Sequence, residues 1–283
     1  MTKKSSIALV TGAAGGIGSA CARRLGQTHA LFLADRDESR LGELAEALAE
    51  TGFHIAGTHA SDLGERGVAE AVVSSARQHG PLATLVHTAG LSPAQGEAKA
   101  LLRLNAYATE ALLDAAERGL EKGLSAVLIA SMAGHLAQPD EEFDTLFASL
   151  NDEKSLHDAV ELIAARTGNT TGREAADIAY LYTKRANILS AMRRSANWAK
   201  HDARINTISP GLVSTDMGRL EVKGDKGAAE MLAMQPLGWV SADDVAETVT
   251  FLTSRASKAI TGADIKVDGG VLALVFANKS VAL

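Results

Sequence analysis

Short, nearly continuous apolar runs alternate with longer amphipathic segments along the whole chain. The runs are Ile7–Val10, Ala30–Ala34, His54–Thr58, Leu82–His87, Ala126–Ala130, Arg204–Ile208 and Ala263–Val267. Runs this short and this apolar read as strands buried on both faces. Between them, Glu38–Thr51, Gly67–His79, Ala98–Arg118, Ala175–Lys200 and Ala242–Ser254 carry helical spacing. Strands alternating with helices predict βαβ units, hence an α/β fold with a doubly wound parallel sheet. No linker rich in Pro or Ser interrupts the rhythm, so residues 1–283 are expected to form a single domain.

The stretch between Ala130 and Ala175 breaks the pattern. It is polar and acidic, with helical spacing only at Asp140–Leu150 and Glu153–Thr167. A structureless loop of that length is improbable in a compact domain. It is expected to be an inserted helical hairpin, about 138–172.

Composition narrows the function. Apolar residues make up 46% of the chain and charged residues 22%, which suits a globular protein with a sizeable core. No apolar run approaches the roughly 20 residues of a membrane span. Met1–Ser6 carries two lysines, but Ile7–Val10 is too short for a secretory h-region. The single cysteine, Cys21, fits a reducing cytosol. A net charge of −6 and 4% aromatic residues argue against nucleic acid as a partner. A cytoplasmic protein without a membrane or metal site is expected.

The first run leads into Thr11-Gly12-Ala13-Ala14-Gly15-Gly16-Ile17-Gly18 and then a helical segment. Glycines there allow a sharp turn and let backbone N–H groups approach a pyrophosphate. The helix start adds free N–H groups and a partial positive charge. The turn Gly12, Gly16, Ile17, Gly18 is therefore the candidate dinucleotide cradle. Asp35, 17 residues beyond Gly18, ends the second run. Its carboxylate can accept both adenosine ribose hydroxyls and would repel a 2′-phosphate, which favours NAD over NADP. Arg36 beside it either pairs with such a phosphate or is a solvated surface arginine. Asp62-Leu63 lies where an adenine edge could be held, although Asp62 would serve equally as a helix cap.

Tyr180 and Lys184 are four apart on a helical segment and so share a face. A neighbouring ammonium lowers a phenol's pKa from about 10 by roughly 1–3, which makes the phenolate a usable base. Tyr107 and Tyr182 have no lysine four residues on. Ser131, at the end of the fifth run, sits either at the ligand-binding edge of the sheet or in a turn cap. Asn105 is a poor helix former inside a helical segment. It either bends the helix and frees a carbonyl for a water, or lies at the surface.

The residues Thr11-Gly12-x-x-x-Gly16-x-Gly18, Asp62-Leu63, Ala89-Gly90, Asn105, Ser131, Tyr180-x-x-x-Lys184, Arg204-Ile205-Asn206, Pro210-Gly211 and Asp268-Gly269-Gly270 occur in this order. Together they resemble the short-chain dehydrogenase/reductases along nearly the whole chain. The resemblance implies a Rossmann-type sheet of seven strands and hydride transfer between nicotinamide C4 and an alcohol or carbonyl carbon. It implies an Asn-Ser-Tyr-Lys tetrad in which Tyr180 is the acid/base and Ser131 positions the substrate oxygen. Lys184 would hold the nicotinamide ribose and tune Tyr180, and Asn105 would position a relay water. Ala89 and Gly90 would permit close ribose approach. Pro210, Gly211, Val213 and Thr215 would flank the nicotinamide.

Two departures stand out. His87-Thr88 occupies the place of an Asn-Asn pair common in the family, which removes a side-chain bridge there, and His87 reads as a packed strand residue. Ser131 and Tyr180 are 49 positions apart, far more than is usual. The excess is the inserted segment, a feature that resembles the bacterial 3α-hydroxysteroid dehydrogenase/carbonyl reductase branch.

The segment Asp216–Trp239 contains Met217, Leu220, Met231, Leu232, Met234, Leu237 and Trp239. It reads as an adaptable apolar lid over the cleft, suited to a lipophilic ring substrate such as a hydroxysteroid or terpenoid, or as plain packing onto the core. A 3-oxoacyl-thioester or polyol dehydrogenase of the same fold is the alternative, and an NAD-sensing regulator without turnover is the reading from another class. Related proteins often dimerise through the outer faces of Ala175–Lys200 and Ala98–Arg118. A homo-oligomer is expected, with the insertion redirecting its assembly.

Overall fold

The computed structural model describes residues 6–169 and 171–281; most of Met1–Ser6 lies outside them. The elements run β1 (Ile7–Thr11), α1 (Gly16–Leu25), β2 (Ala30–Asp35), α2 (Glu38–Glu50), β3 (Ile55–Ala60), α3 (Val68–His79) and β4 (Leu82–His87). Next come α4 (Ala98–Leu101), a π-helical turn (Leu102–Tyr107), α5 (Ala108–Glu117), β5 (Ser125–Ile129), α6 (Ala133–Leu136), α7 (Glu141–Ala148), α8 (Glu153–Thr167) and α9 (Arg173–Ala199). The chain continues through β6 (Arg204–Pro210), α10 (Asp216–Gly224), α11 (Lys226–Met234), α12 (Ala242–Thr253), a 3₁₀ turn (Arg255–Ser257), β7 (Asp264–Val267) and α13 (Val271–Val281).

All seven strands pair in parallel in the order β3-β2-β1-β4-β5-β6-β7. The order reverses between β1 and β4, which opens a crevice at their carboxyl ends. One apolar layer, including Leu9, Phe32, Val72, Leu112 and Trp198, packs α3, α5 and α9 on one face. A second, including Val10, Cys21, Leu33, Val127 and Val249, packs α1, α2 and α12 on the other. The central strands are buried almost throughout because both faces are covered. The edge strands β3 and β7 are largely half-buried, and there the expectation of full burial gives way.

The expected insertion is two helices. Asp140 caps α7 by accepting the N–H of Glu142 and Phe143 at 3.0 and 3.2 Å. Asp152 and Ser155 form a capping box at α8. Phe143 is fully buried and stacks on Tyr182 of α9 with ring centroids 3.9 Å apart. Two-pronged ion pairs, Arg185 to Asp144 and Arg103 to Glu153, bind the pair of helices to α9 and to the π-helical turn. The insertion thus buttresses the helix that carries Tyr180 and Lys184.

Candidate active site

The glycine turn folds as its composition requires. Gly12 has φ +67°, and a Cβ there would lie 2.5 Å from the Ala89 nitrogen, so β1 and β4 approach only because the position is glycine. The Thr88 hydroxyl spans the carbonyls of Thr11 and Gly12 at 2.8 and 3.0 Å. The cross-strand bridge thought lost with the Asn-Asn pair is therefore made by Thr88. Gly15 precedes α1 without a side-chain cap, so the first N–H groups of α1 are left to a ligand.

His87 is the packed strand residue expected. It lies between the Thr11 and Thr109 hydroxyls at 2.7 and 2.9 Å. Burial, with the Lys184 charge added, lowers its pKa to about 3 and keeps it neutral.

Asn105 is in the π-helical turn and is buried, which excludes the surface reading. Its amide clamps the Leu91 backbone, accepting the N–H at 2.8 Å and donating to the carbonyl at 2.9 Å. The local π geometry brings this side chain onto another segment. The Asn105 carbonyl accepts the Thr109 hydroxyl at 2.9 Å.

Strand β5 ends at Ile129, so Ser131 stands two residues past the strand it was expected to end. Its hydroxyl accepts the Ala133 N–H at 3.1 Å, which starts α6. Gly134 presses α6 onto α9, since a Cβ there would lie 2.8 Å from the Lys184 carbonyl carbon. This contact brings Ser131 beside Tyr180.

A cavity of about 330 Å³ runs from β2 to α10. It is lined by Gly12, Gly16, Ile17, Gly18, Asp35, Arg36, Asp62, Leu63, Ala89, Gly90, Ser131, Tyr180, Lys184, Pro210, Gly211, Val213 and Thr215. Every predicted site residue except Asn105 is therefore on one surface. Asn105 stands behind it, its amide oxygen next to Gly90. Asp62 accepts the Gly64 N–H at 2.8 Å, while Gly67 precedes α3, so Asp62 does not cap that helix.

One electrostatic expectation is corrected. The Tyr180 phenol is not drawn down by Lys184. Burial pushes it above the usual range and Glu221 adds to the rise, while the Ser131 hydroxyl pulls the other way. The Lys184 ammonium donates to the Ile129 carbonyl at 3.0 Å and lies 5.7 Å from the Tyr180 ring centroid. Burial lowers its pKa to about 8, against the pull of Glu221. The amine is spent on the Ile129 carbonyl and makes no hydrogen bond to the phenolic oxygen, so desolvation prevails.

The lid also differs from expectation. Leu220, Met234, Leu237 and Trp239 are exposed, while Met231 and Leu232 pack toward Val271 and Leu272 of α13. Of the apolar lid residues, only Met217 lines the cavity. Sequence reading missed Thr88, Arg40 and Glu221. Arg40 donates to the Ala14 carbonyl at 3.1 Å on the cavity rim, and an i+5 position from Asp35 carries no periodic signal. Glu221 is four residues after Met217, a spacing that becomes informative once α10 is known to be a helix.

Residues 6–142 match the family model described as short chain dehydrogenase, and residues 153–272 match the one described as Enoyl-(Acyl carrier protein) reductase. The chain is 30% identical over 281 residues to the short-chain dehydrogenase/reductase bsc3 of Alternaria brassicicola, covering 98% of this chain and 99% of that one. The chain belongs to the short-chain dehydrogenase/reductase family. It is also similar to the 3-alpha-hydroxysteroid dehydrogenase/carbonyl reductase of Comamonas testosteroni, 30% identical over 197 residues, 68% of this chain and 73% of the relative. A short-chain type dehydrogenase/reductase from Mycobacterium ulcerans shares the fold, with TM-score 0.73 at 23% identity, covering 96% and 91% of the two chains. This short-chain dehydrogenase/reductase is an oxidoreductase of alcohols or ketones, and the family's cofactor is a nicotinamide dinucleotide. The donor set fits such a group: an uncapped helix start, a glycine cradle that a Cβ would fill, and a carboxylate at the end of β2.

Proposed function

We propose that this protein is an NAD-dependent oxidoreductase that interconverts a secondary alcohol and a ketone on a lipophilic ring. The observation that carries the reading is the placement of Ser131, Tyr180 and Lys184 on the same cavity surface as the glycine turn and Asp35. Gly12, Gly16, Ile17 and Gly18 would hold the pyrophosphate, and Asp35 the adenosine ribose. Leu63 and Asp62 would border the adenine. Ala89, Gly90, Pro210, Gly211, Val213 and Thr215 would flank the nicotinamide end. When bound, the dinucleotide supplies a hydride donor or acceptor at the nicotinamide ring. Tyr180 gives a proton to, or takes one from, the substrate oxygen, and the Ser131 hydroxyl hydrogen-bonds the same oxygen. Lys184 would hold the cofactor ribose with its ammonium, and Asn105 fixes the Leu91 backbone next to Gly90.

The preference for NAD rests on Asp35. Its two carboxylate oxygens accept the Ala14 and Asp37 N–H groups at 2.9 and 3.1 Å, which fixes the charge at the rim. The preference for a ring rests on Leu91, Leu212 and Met217, which line the cavity with the catalytic candidates. Polyols are the second reading, favoured by the polar Gln95 and Glu221 on that surface. A panel of steroid, terpenoid, polyol and acyl-thioester substrates with NAD, followed at the NADH absorbance band, tests the reading. Turnover of the ring alcohols above the acyl thioesters is expected. The reverse order, or binding of NAD with no turnover of any class, contradicts it.

A cytoplasmic location is supported by the buried, unpaired Cys21, and no described helix is long and apolar enough to cross a membrane. For assembly we propose a homo-oligomer that does not use the outer face of α9 near Tyr182, because α7 and α8 cover it. Light scattering of the intact chain is expected to give a multiple of 29.4 kDa; a mass of one chain rejects the proposal.

A further inference from the structure

Three carboxylates of the cavity are not used by the mechanism above: Asp37 caps α2, Asp216 pairs with Arg219, and Glu221 has neither kind of partner among the described residues. The Thr215 hydroxyl accepts the Gly218 N–H at 3.2 Å and so fixes the first turn of α10. Met217 and Glu221, one turn apart, then share a helix face. Both line the cavity that Ser131, Tyr180 and Lys184 line. Glu221 shares this cavity with Tyr180 and Lys184, and its charge acts on both groups.

Glu221 is half-buried, yet no described residue gives its carboxylate a hydrogen bond or a direct ion pair. The nearby cation is already committed. Arg173, at the start of α9, binds Asp177 at 2.8 Å and also pairs with Asp225, which follows α10. The charges around Glu221 are therefore two carboxylates, Asp177 and Asp225, against Arg173 and Lys184. Burial raises the Glu221 carboxyl above its ordinary range; Arg173 and Lys184 lower it, and Asp225 and Asp177 raise it further.

The Glu221 carboxylate oxygens are not among the described polar atoms buried without a partner, so they face the open cavity. A molecule that binds over them excludes solvent and leaves the acceptor unsatisfied unless it brings its own donor. The side chains of Leu91, Leu212 and Met217, which line the same cavity, have none to give.

We propose that Glu221 is a substrate-selecting residue: it accepts a hydrogen bond from a second polar group of the substrate, a hydroxyl or an ammonium close to the reacting carbon, and it repels a carboxylate in that place. This rests on the oxidoreductase reading and sharpens its substrate class, from a lipophilic ring alcohol to one carrying a neighbouring donor. The Met217 side of the same helix face supplies the apolar contact to the ring.

The test uses the full-length protein with NAD and four matched alcohols: cyclohexanol, trans-cyclohexane-1,2-diol, 2-aminocyclohexanol and 2-hydroxycyclohexanecarboxylate. In the unaltered protein, kcat/KM for the diol and the amino alcohol is expected to exceed that for cyclohexanol by at least about tenfold, with the carboxylate lowest. Glu221→Gln keeps the shape and removes the charge. It is expected to cut the amino alcohol's advantage to within about threefold and to raise the carboxylate relative to cyclohexanol. Glu221→Ala is expected to remove the diol's advantage as well. NADH binding, followed by fluorescence, checks that both variants are folded. Turnover that Tyr180→Phe abolishes, in an order that neither Glu221 variant changes, overturns the role of Glu221 and leaves the oxidoreductase reading intact. If none of the four alcohols is oxidised, the substrate class is wrong and the assignment falls with it.

Discussion

Replacing Asp35 by Ala is expected to shift the ratio of kcat/KM with NAD to that with NADP by about a hundredfold toward NADP. Two unit charges about 4 Å apart interact by ~4 kcal/mol at intermediate dielectric. Asp35 is half-buried at the rim, so solvent screening leaves about half of that, and ~1.4 kcal/mol is worth a factor of ten. The change works on both sides of the ratio. Without the carboxylate, a 2′-phosphate meets no repulsion, and the exposed Arg36 and Arg40 guanidiniums remain on the cavity surface to attract it. NAD loses its ribose acceptor. Use of NAD is also expected to weaken because the Ala14 and Asp37 N–H groups lose the oxygen that fixes the turn. Steady-state kinetics with both cofactors measures the effect, and an unchanged ratio removes Asp35 from cofactor choice.

Asp35 was legible in the sequence because it ends an apolar run at a fixed distance from a glycine turn. The same holds for most of the fold. Runs such as Leu82–His87 keep their bounds in the structure, and Glu153–Thr167 emerges as a helix with those limits. Boundaries move where the pattern is silent: β5 stops at Ile129 because Ser131 is spent on starting α6. What periodicity cannot show is the partner of a polar group. Nothing in the spacing reveals that the Lys184 amine donates to the Ile129 carbonyl, or that Thr88 bridges the Thr11 and Gly12 carbonyls. The phenol's direction is hidden for that reason: four-residue spacing fixes a shared face, but not which atom the amine meets. The lid's lining is hidden too, because an apolar count does not say which side chains point inward. α10 turns Met217 and Glu221 to the cavity and leaves Leu220 exposed.

Tyr180→Phe is expected to lower kcat by about a thousandfold, within the range that a positioned proton donor or acceptor contributes. Only the hydroxyl is lost, so the ring keeps its place against Lys184 and the cavity keeps its shape. The pH dependence follows from the same burial. Tyr180 is pushed above the ordinary phenol range, so at neutral pH it holds its proton, the form that donates to a carbonyl oxygen. Ketone reduction is therefore expected to proceed at neutral pH, and alcohol oxidation to speed up as pH rises. The Lys184 ammonium, with a pKa of about 8, loses its charge over that same alkaline rise and limits the gain.

The most direct test pairs two readings on Tyr180→Phe: NADH affinity by fluorescence titration, and turnover of whichever alcohol the intact protein oxidises best. Affinity within a few-fold of the unaltered protein, with turnover reduced by about three orders of magnitude, is the predicted result. Full turnover by the variant would mean that proton exchange at the substrate oxygen runs through some other group.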